Sequence, residues 1–366
     1  MDTETTINAL EPEQQEQPEP PVFFYPSIER LRIILMFFMC INLFGFPTMF
    51  SEFVKTICGF VAPAFFILSG FLVLREEEDR PNRIRRAIKR CALVFCILLV
   101  VYFAINFVYY RLLGVNIFSA FASKRFWFNF LVLNVWQFDI GGAIWYVQAL
   151  LYAYIIIYFL EKWNLLRFDG LIAAVLIAFA VLTGELSGLF PWEILGYTYL
   201  PGNFLTRALP YVLLGSFIYK KMPALLKVGR LWYWLGILLG VILSVAEILL
   251  LGFGGVPGYY GHLIGIGVTA FSVCMLAFQD DVLDPGFECV LALYRWQINC
   301  IYYICQPLSV GIVLLLSIVA KNYFAYLTGF MGIITFVVCL LIVLVISHIS
   351  TLLKTEFVDD LDDGWE

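Results

Sequence analysis

Residues 75–90 read REEEDRPNRIRRAIKR, and their second half concentrates positive charge in Arg83, Arg85, Arg86, Lys89 and Arg90. Arginine forks match phosphate oxygens, so this cluster suits the phosphates of a soluble cofactor at the inner mouth of a helix bundle. It serves equally as an orientation signal touching anionic lipid. The other chemistry-bearing residues are polar groups set inside apolar runs. Trp145-Tyr146-Val147-Gln148 opens one run, and Tyr302-Tyr303-Ile304-Cys305-Gln306-Pro307 interrupts another. Polar groups there either bond a neighbouring helix or line a cavity, and Asn42 and Ser69 pose the same alternative. Glu247, in LSVAEILLLGF, is a carboxylate within an apolar run, either a base or a hydrogen-bonded structural group. His262 and His348 are the two histidines, both near ends of apolar runs and better suited to interfaces than to catalysis. They provide no metal-ligand set.

These residues need elements to hold them, and the composition says which kind. Of 366 residues, 62% are hydrophobic and 14% charged. Soluble domains carry about 25% charged residues, so a soluble globule could not cover this much apolar surface. The 35 Phe, 20 Tyr and 9 Trp suit aromatic belts at two membrane interfaces. The nine cysteines lie in or beside apolar runs without a CxxC pair, as buried small hydrophobes do. A buried thiol in apolar surroundings is inert, which counts against Cys40 and Cys305 as nucleophiles. The cations fall in short loops rather than in a basic stripe, so no nucleic-acid footprint is present.

Apolar runs fall at 31–50, 54–74, 91–110, 143–160, 170–190, 204–219, 231–253, 258–279, 297–319 and 324–350. Each approaches the ~20 residues that cross the hydrocarbon. The expected fold is all-α: a polytopic membrane bundle of about ten transmembrane helices. With the N-terminus inside, most of the 23 Lys and Arg fall on the inner side, which predicts N-in and C-in. Lys55, Arg111, Lys124, Arg125, Arg207 and Lys321 fall outside in that arrangement. The segment 126–138, FWFNFLVLNVWQF, is too short to span and reads as interfacial or re-entrant. Residues 1–27 are acidic and rich in Gln and Pro, predicting a disordered cytoplasmic tail without a cleavable signal. Residues 28–350 form the membrane domain, and 351–366 an acidic cytoplasmic tail. The short loops suit a bacterial plasma membrane.

The ordered set of motifs resembles the acyltransferase-3 family of integral membrane proteins. It comprises Leu31-Arg32, Phe65-Phe66-Ile67-Leu68-Ser69-Gly70-Phe71, the basic stretch Arg83 to Arg90, Ile144-Trp145-Tyr146, Leu209-Pro210-Tyr211-Val212-Leu213-Leu214-Gly215 and Tyr302 to Pro307. The resemblance implies transfer of an acyl group, often acetyl, from acyl-CoA to a hydroxyl of a surface glycan or lipid-linked sugar. It makes Arg83 to Arg90 the donor-phosphate site. The family carries a catalytic His eleven residues after the Arg of the Leu-Arg pair, a position that is Leu43 here. The family's late His position is Cys305. A hydroxyl acceptor needs a base near neutral pKa. Three readings follow: a base supplied by Glu247 or His262, binding of donor or glycan without turnover, or movement of a lipid or glycan.

Overall fold

The structure is a computed structural model, and it describes residues 26–45, 51–75, 79–116, 118–136, 138, 140–183, 203–253, 264–279, 295–320 and 323–362. The described residues are helical, with no strand among them. In chain order the helices are α1 (Pro26–Phe44), α2 (Ser51–Ile57), α3 (Val61–Val73), α4 (Arg80–Leu112), α5 (Phe118–Phe121), α6 (Lys124–Leu131), α7 (Gly142–Lys162), α8 (Asp169–Thr183), α9 (Phe204–Arg207) and α10 (Leu209–Leu225). They continue with α11 (Arg230–Phe253), α12 (Ile264–Phe278), α13 (Arg295–Val319), α14 (Phe324–Gly329) and α15 (Met331–Asp362).

The described residues of each of the ten apolar runs are largely helical. Among the described residues, six helical stretches are long and apolar enough to cross a membrane: Phe53–Val73, Arg80–Leu112, Ala143–Lys162, Arg230–Leu250, Ile301–Val319 and Met331–Ile349. Two boundaries differ from the sequence reading. The basic stretch expected as a loop is the first three turns of α4, which starts at Arg80 with Pro81 in its first turn. Proline is pre-set for that position, since its missing N–H would have no helical partner there. At the other end of the chain, α15 runs on through the acidic residues to Asp362. The tail expected at 1–27 lies outside the described residues except for Pro26 and Ser27, which begin α1.

The centre of the bundle is α3. Its apolar stretch is 61% buried inside the protein, against 17% for α4 and α11, whose apolar side chains face outward. Helix α3 packs on α10, α12 and α1, while α11 pairs with α12 and α15 with α13 and α1. Two of these contacts are backbone seams. A Cβ on Gly70 would meet the Val212 carbonyl, and one on Gly215 would meet Ile67 and Phe71 backbone atoms. Gly240 and Gly265 face each other in the same way between α11 and α12, flanked by Ser244 and Thr269. Small residues permit this approach, and close van der Waals packing is what binds helices in lipid.

Among the described residues of segment 126–138 the helix is the short α6, which is not long enough to span. Helix α6 buries Phe126 and Phe130, and the chain then turns through Asn134 (φ 57°) and Gly141 (φ 148°) into α7. The Trp136 indole occupies the space a side chain at Gly141 would need. These residues build a second, smaller core with Leu98 and Tyr102 of α4 and with Ile144 and Val147 of α7.

Candidate functional site

A cavity of about 360 Å³ opens at the end of the bundle where α1 ends and α3, α7, α10 and α12 begin. Helix α1 stops at Gly45, whose N–H returns to the Ile41 carbonyl with φ 83°, the left-handed geometry glycine adopts freely. That stop presents Asn42 and Leu43 to the cavity. Asn42 Nδ2 donates to the Lys55 carbonyl at 2.7 Å, tying α1 to α2, and Lys55 joins the wall. The opposite wall is Trp145, whose indole lies edge-on to Phe66 at 6.1 Å. Asn203 caps α9 by accepting from the Leu205 N–H at 2.8 Å. The cap positions Arg207 with its guanidinium 5.5 Å from the centre of the Trp145 ring. From α13 come Tyr302, Cys305 and Gln306.

The floor is aromatic. Phe66 stacks on Tyr146 at 4.7 Å, and Tyr146 leans on Tyr302 at 5.0 Å. Ser69 lies below this layer, its hydroxyl 3.4 Å from the Tyr146 hydroxyl. Tyr303 points away from the cavity, but its carbonyl explains part of the motif. Pro307 has no N–H to give the carbonyl four residues earlier, and the Tyr102 hydroxyl donates to it instead at 2.6 Å.

The structure thus gathers Asn42, Trp145, Cys305 and Gln306 around one cavity, and leaves Ser69, Gln148 and Tyr303 outside its lining. Gln148 is buried and donates to the Phe130 carbonyl at 2.7 Å and to the Tyr152 hydroxyl at 3.1 Å. It serves the segment 126–138. Gln306 touches both regions, accepting from the Gly141 N–H at 3.0 Å while it lines the cavity. Cys305 is buried, its Sγ 3.4 Å from the Tyr302 carbonyl. Tyr211, from the Leu209-Pro210-Tyr211 motif, also lines the cavity, as do Lys55 and Arg207, which the sequence reading does not single out as site residues. The two cations looked like ordinary outer-side loop charges, and their meeting depends on α2 and α9, short helices with no strong periodic signal.

Glu247 is a residue of α11 whose carboxylate reaches the start of α12, outside the cavity lining. Its two carboxylate oxygens accept from the Ile264 and Gly265 N–H groups at 3.1 and 3.2 Å. A carboxylate there satisfies orphan donors and faces the positive end of the helix dipole. His262 lies outside the described residues.

The cations of α4 occupy the opposite end of the bundle. Ile84 is buried while Arg85, Arg86, Lys89 and Arg90 are exposed, so the helix turns its charged face outward. Arg85 donates to the Tyr158 hydroxyl at 3.1 Å and sits over its ring, and Arg86 pairs with Asp79. Arg80, which the sequence reading passed over, is the buried one. It donates to the Leu74 carbonyl at 3.2 Å and pairs with Glu161 at 3.5 Å. Of the described cysteines, Cys40, Cys58, Cys274, Cys305 and Cys339 are buried as expected, Cys91 is half-buried and Cys96 is exposed. Cys96 sits on the outward face of α4.

The cavity wall combines flat aromatic faces, amide groups and two cations. Aromatic faces suit the C–H faces of a sugar, amides bond its hydroxyls, and cations stabilise an oxyanion. Among the described lining residues there is no imidazole and no carboxylate. Leu43, the position at which the resemblance places a histidine, is part of the wall. Comparisons with curated proteins and with solved structures give no match. A family model described as an acyltransferase domain, Acyl_transf_3, matches residues 25–354, nearly the whole chain. With that match over a helical bundle that brings the motif residues together, the chain belongs to the acyltransferase-3 family of membrane proteins.

Proposed function

We propose that this multi-pass membrane protein transfers an acyl group, acetyl, from cytosolic acyl-CoA to a hydroxyl of a surface glycan or lipid-linked sugar. In this reading ten spans cross the plasma membrane with both termini in the cytoplasm. The acceptor enters the cavity from outside, and the donor phosphates meet Arg83, Arg85, Arg86, Lys89 and Arg90 at the inner end. The observation that supports it is the convergence of Leu43, Asn42, Trp145 and Gln306 on one cavity in a chain of this family. Trp145 and Tyr302 offer stacking faces, and Lys55 and Arg207 stand where charge develops on the acyl oxygen.

The base is the open element of the mechanism. His262 and Glu247 are the proposed sources, and Glu247 serves only after releasing the two amides it caps. The lining without imidazole or carboxylate favours a second reading: an inactive homologue that binds or moves polysaccharide. Purified protein in nanodiscs separates the two readings. Acetyl-CoA binding and release of free CoA thiol are measured with and without membrane glycan extract. Acceptor-stimulated release supports the transferase, binding without release supports the inactive homologue, and absence of both overturns acyl-CoA as donor.

A further inference from the structure

Helices α8 and α10 leave a groove of about 470 Å³ between them at the end of the bundle opposite the cavity. Its length is apolar, lined by Leu171, Ala174, Ile177, Leu214 and Phe217. Its mouth carries Arg167, Lys220 and Lys221. The charges at the mouth do not cancel. Lys220 is held by Asp169 at 2.8 Å and by the Leu166 carbonyl at 2.6 Å, and Asp169 also accepts from the Ser216 hydroxyl at 2.7 Å. That pair is internally neutral and fixes the edge of the groove. Arg167 and Lys221 are exposed, and they add two positive charges beside it.

The surroundings set the depth of this mouth in the bilayer. Leu171, Val175, Phe179 and Leu182 form an exposed apolar stripe along α8, as a lipid-facing helix requires. Trp163 is 64% exposed and Phe168 44% exposed just before α8, at the position of an interfacial aromatic belt. The Arg167 guanidinium lies 4.6 Å from the centre of the Phe168 ring, at that same level. Gly170 lets Phe217 approach the α8 backbone, so the groove narrows beneath its mouth. Cations at headgroup level above an apolar channel match one chemistry, an anionic phosphate headgroup carrying an acyl chain.

We propose that the α8–α10 groove is a binding site for an anionic phospholipid, its phosphate between Arg167 and Lys221 and one acyl chain along Leu171, Ala174, Ile177 and Phe217. The site is separate from the outer cavity and independent of any acyl-transfer chemistry. Native mass spectrometry of the full-length, delipidated protein tests it, with phosphatidylglycerol and phosphatidylcholine added at equal concentration. The wild type should retain phosphatidylglycerol about tenfold better, as expected for two cations near the membrane surface. Arg167→Gln with Lys221→Gln should abolish that preference, and Ala174→Trp should reduce retention of both lipids by filling the channel. Both sets of changes lie on exposed positions, and Lys221→Gln alone provides a milder probe. Equal retention of the two lipids by the wild type would overturn the proposal. So would an undiminished preference in the double variant, or displacement of the lipid by inorganic phosphate at millimolar concentration.

Discussion

The segment 126–138 and the cavity are neighbours built from the same residue types, and they use them in opposite ways. Around the segment the polar side chains are consumed by backbone. Asn106 Nδ2 donates to the Tyr102 and Ile140 carbonyls, and its Oδ1 accepts from the Ile140 N–H at 3.3 Å. Gln148, Tyr152 and Trp136 bond the Phe130, Leu131 and Ile140 carbonyls. Non-helical backbone at membrane depth survives only where such partners satisfy it. Around the cavity, Trp145 and Gln306 expose part of their surface to a void of about 360 Å³. A polar residue inside an apolar run is therefore as often a partner for nearby irregular backbone as a participant in chemistry.

The strongest way to sharpen this contrast is to give the cavity the group its family position implies. Leu43→His places an imidazole in the wall. Acceptor-dependent CoA release should rise by about 10²-fold, the usual contribution of a general base. An unchanged rate would remove Leu43 from the reacting centre. Next in size is Asn106→Leu, which removes three buried hydrogen bonds and leaves the Ile140 N–H without its acceptor. We expect a loss of about 3 kcal/mol, read as a lower melting temperature in detergent, since each unsatisfied group costs about 1–3 kcal/mol. Gln148→Leu should lower stability by about 1–2 kcal/mol and leave acceptor binding intact, whereas Trp145→Ala should weaken acceptor binding while stability holds. Reversed results for that pair would dissolve the division between the two regions.

The end of the bundle opposite the cavity gives smaller effects. Replacing Arg83, Arg86 and Arg90 together by Gln should weaken acetyl-CoA binding by about tenfold in a titration, with an unchanged far-ultraviolet spectrum. Unaltered binding would sink the donor-site assignment. The smallest effect is expected for Glu247→Gln. The amide oxygen keeps one of the two α12 N–H groups that the carboxylate accepts from, so stability should fall by only about 1 kcal/mol. A loss of turnover beyond tenfold would make Glu247 the base.

The sequence announced the apolar runs because length and composition suffice to define a helix in lipid. It also announced that 126–138 is too short to cross. It did not show where α4 begins, since a run of cations looks like a loop until Ile84 and Ile88 are placed on one buried face. Nor could it sort Gln148 from Gln306. Both are glutamines inside apolar helices, and their roles depend on which carbonyl or amide folds back upon them. Lys55 and Arg207 were hidden for another reason. They stand far apart in the chain, and only the capped turn at Asn203 and the stop at Gly45 bring them to one cavity.

The seam between α3 and α10 has a mechanical consequence. With the Val212 carbonyl against Gly70 and the Ile67 carbonyl against Gly215, neither helix can slide or roll past the other. The pair is a stator. Admission of a bulky guest to the cavity must come from displacement of α1, α7 or α13, the walls that close on this fixed post through side chains rather than through main chain.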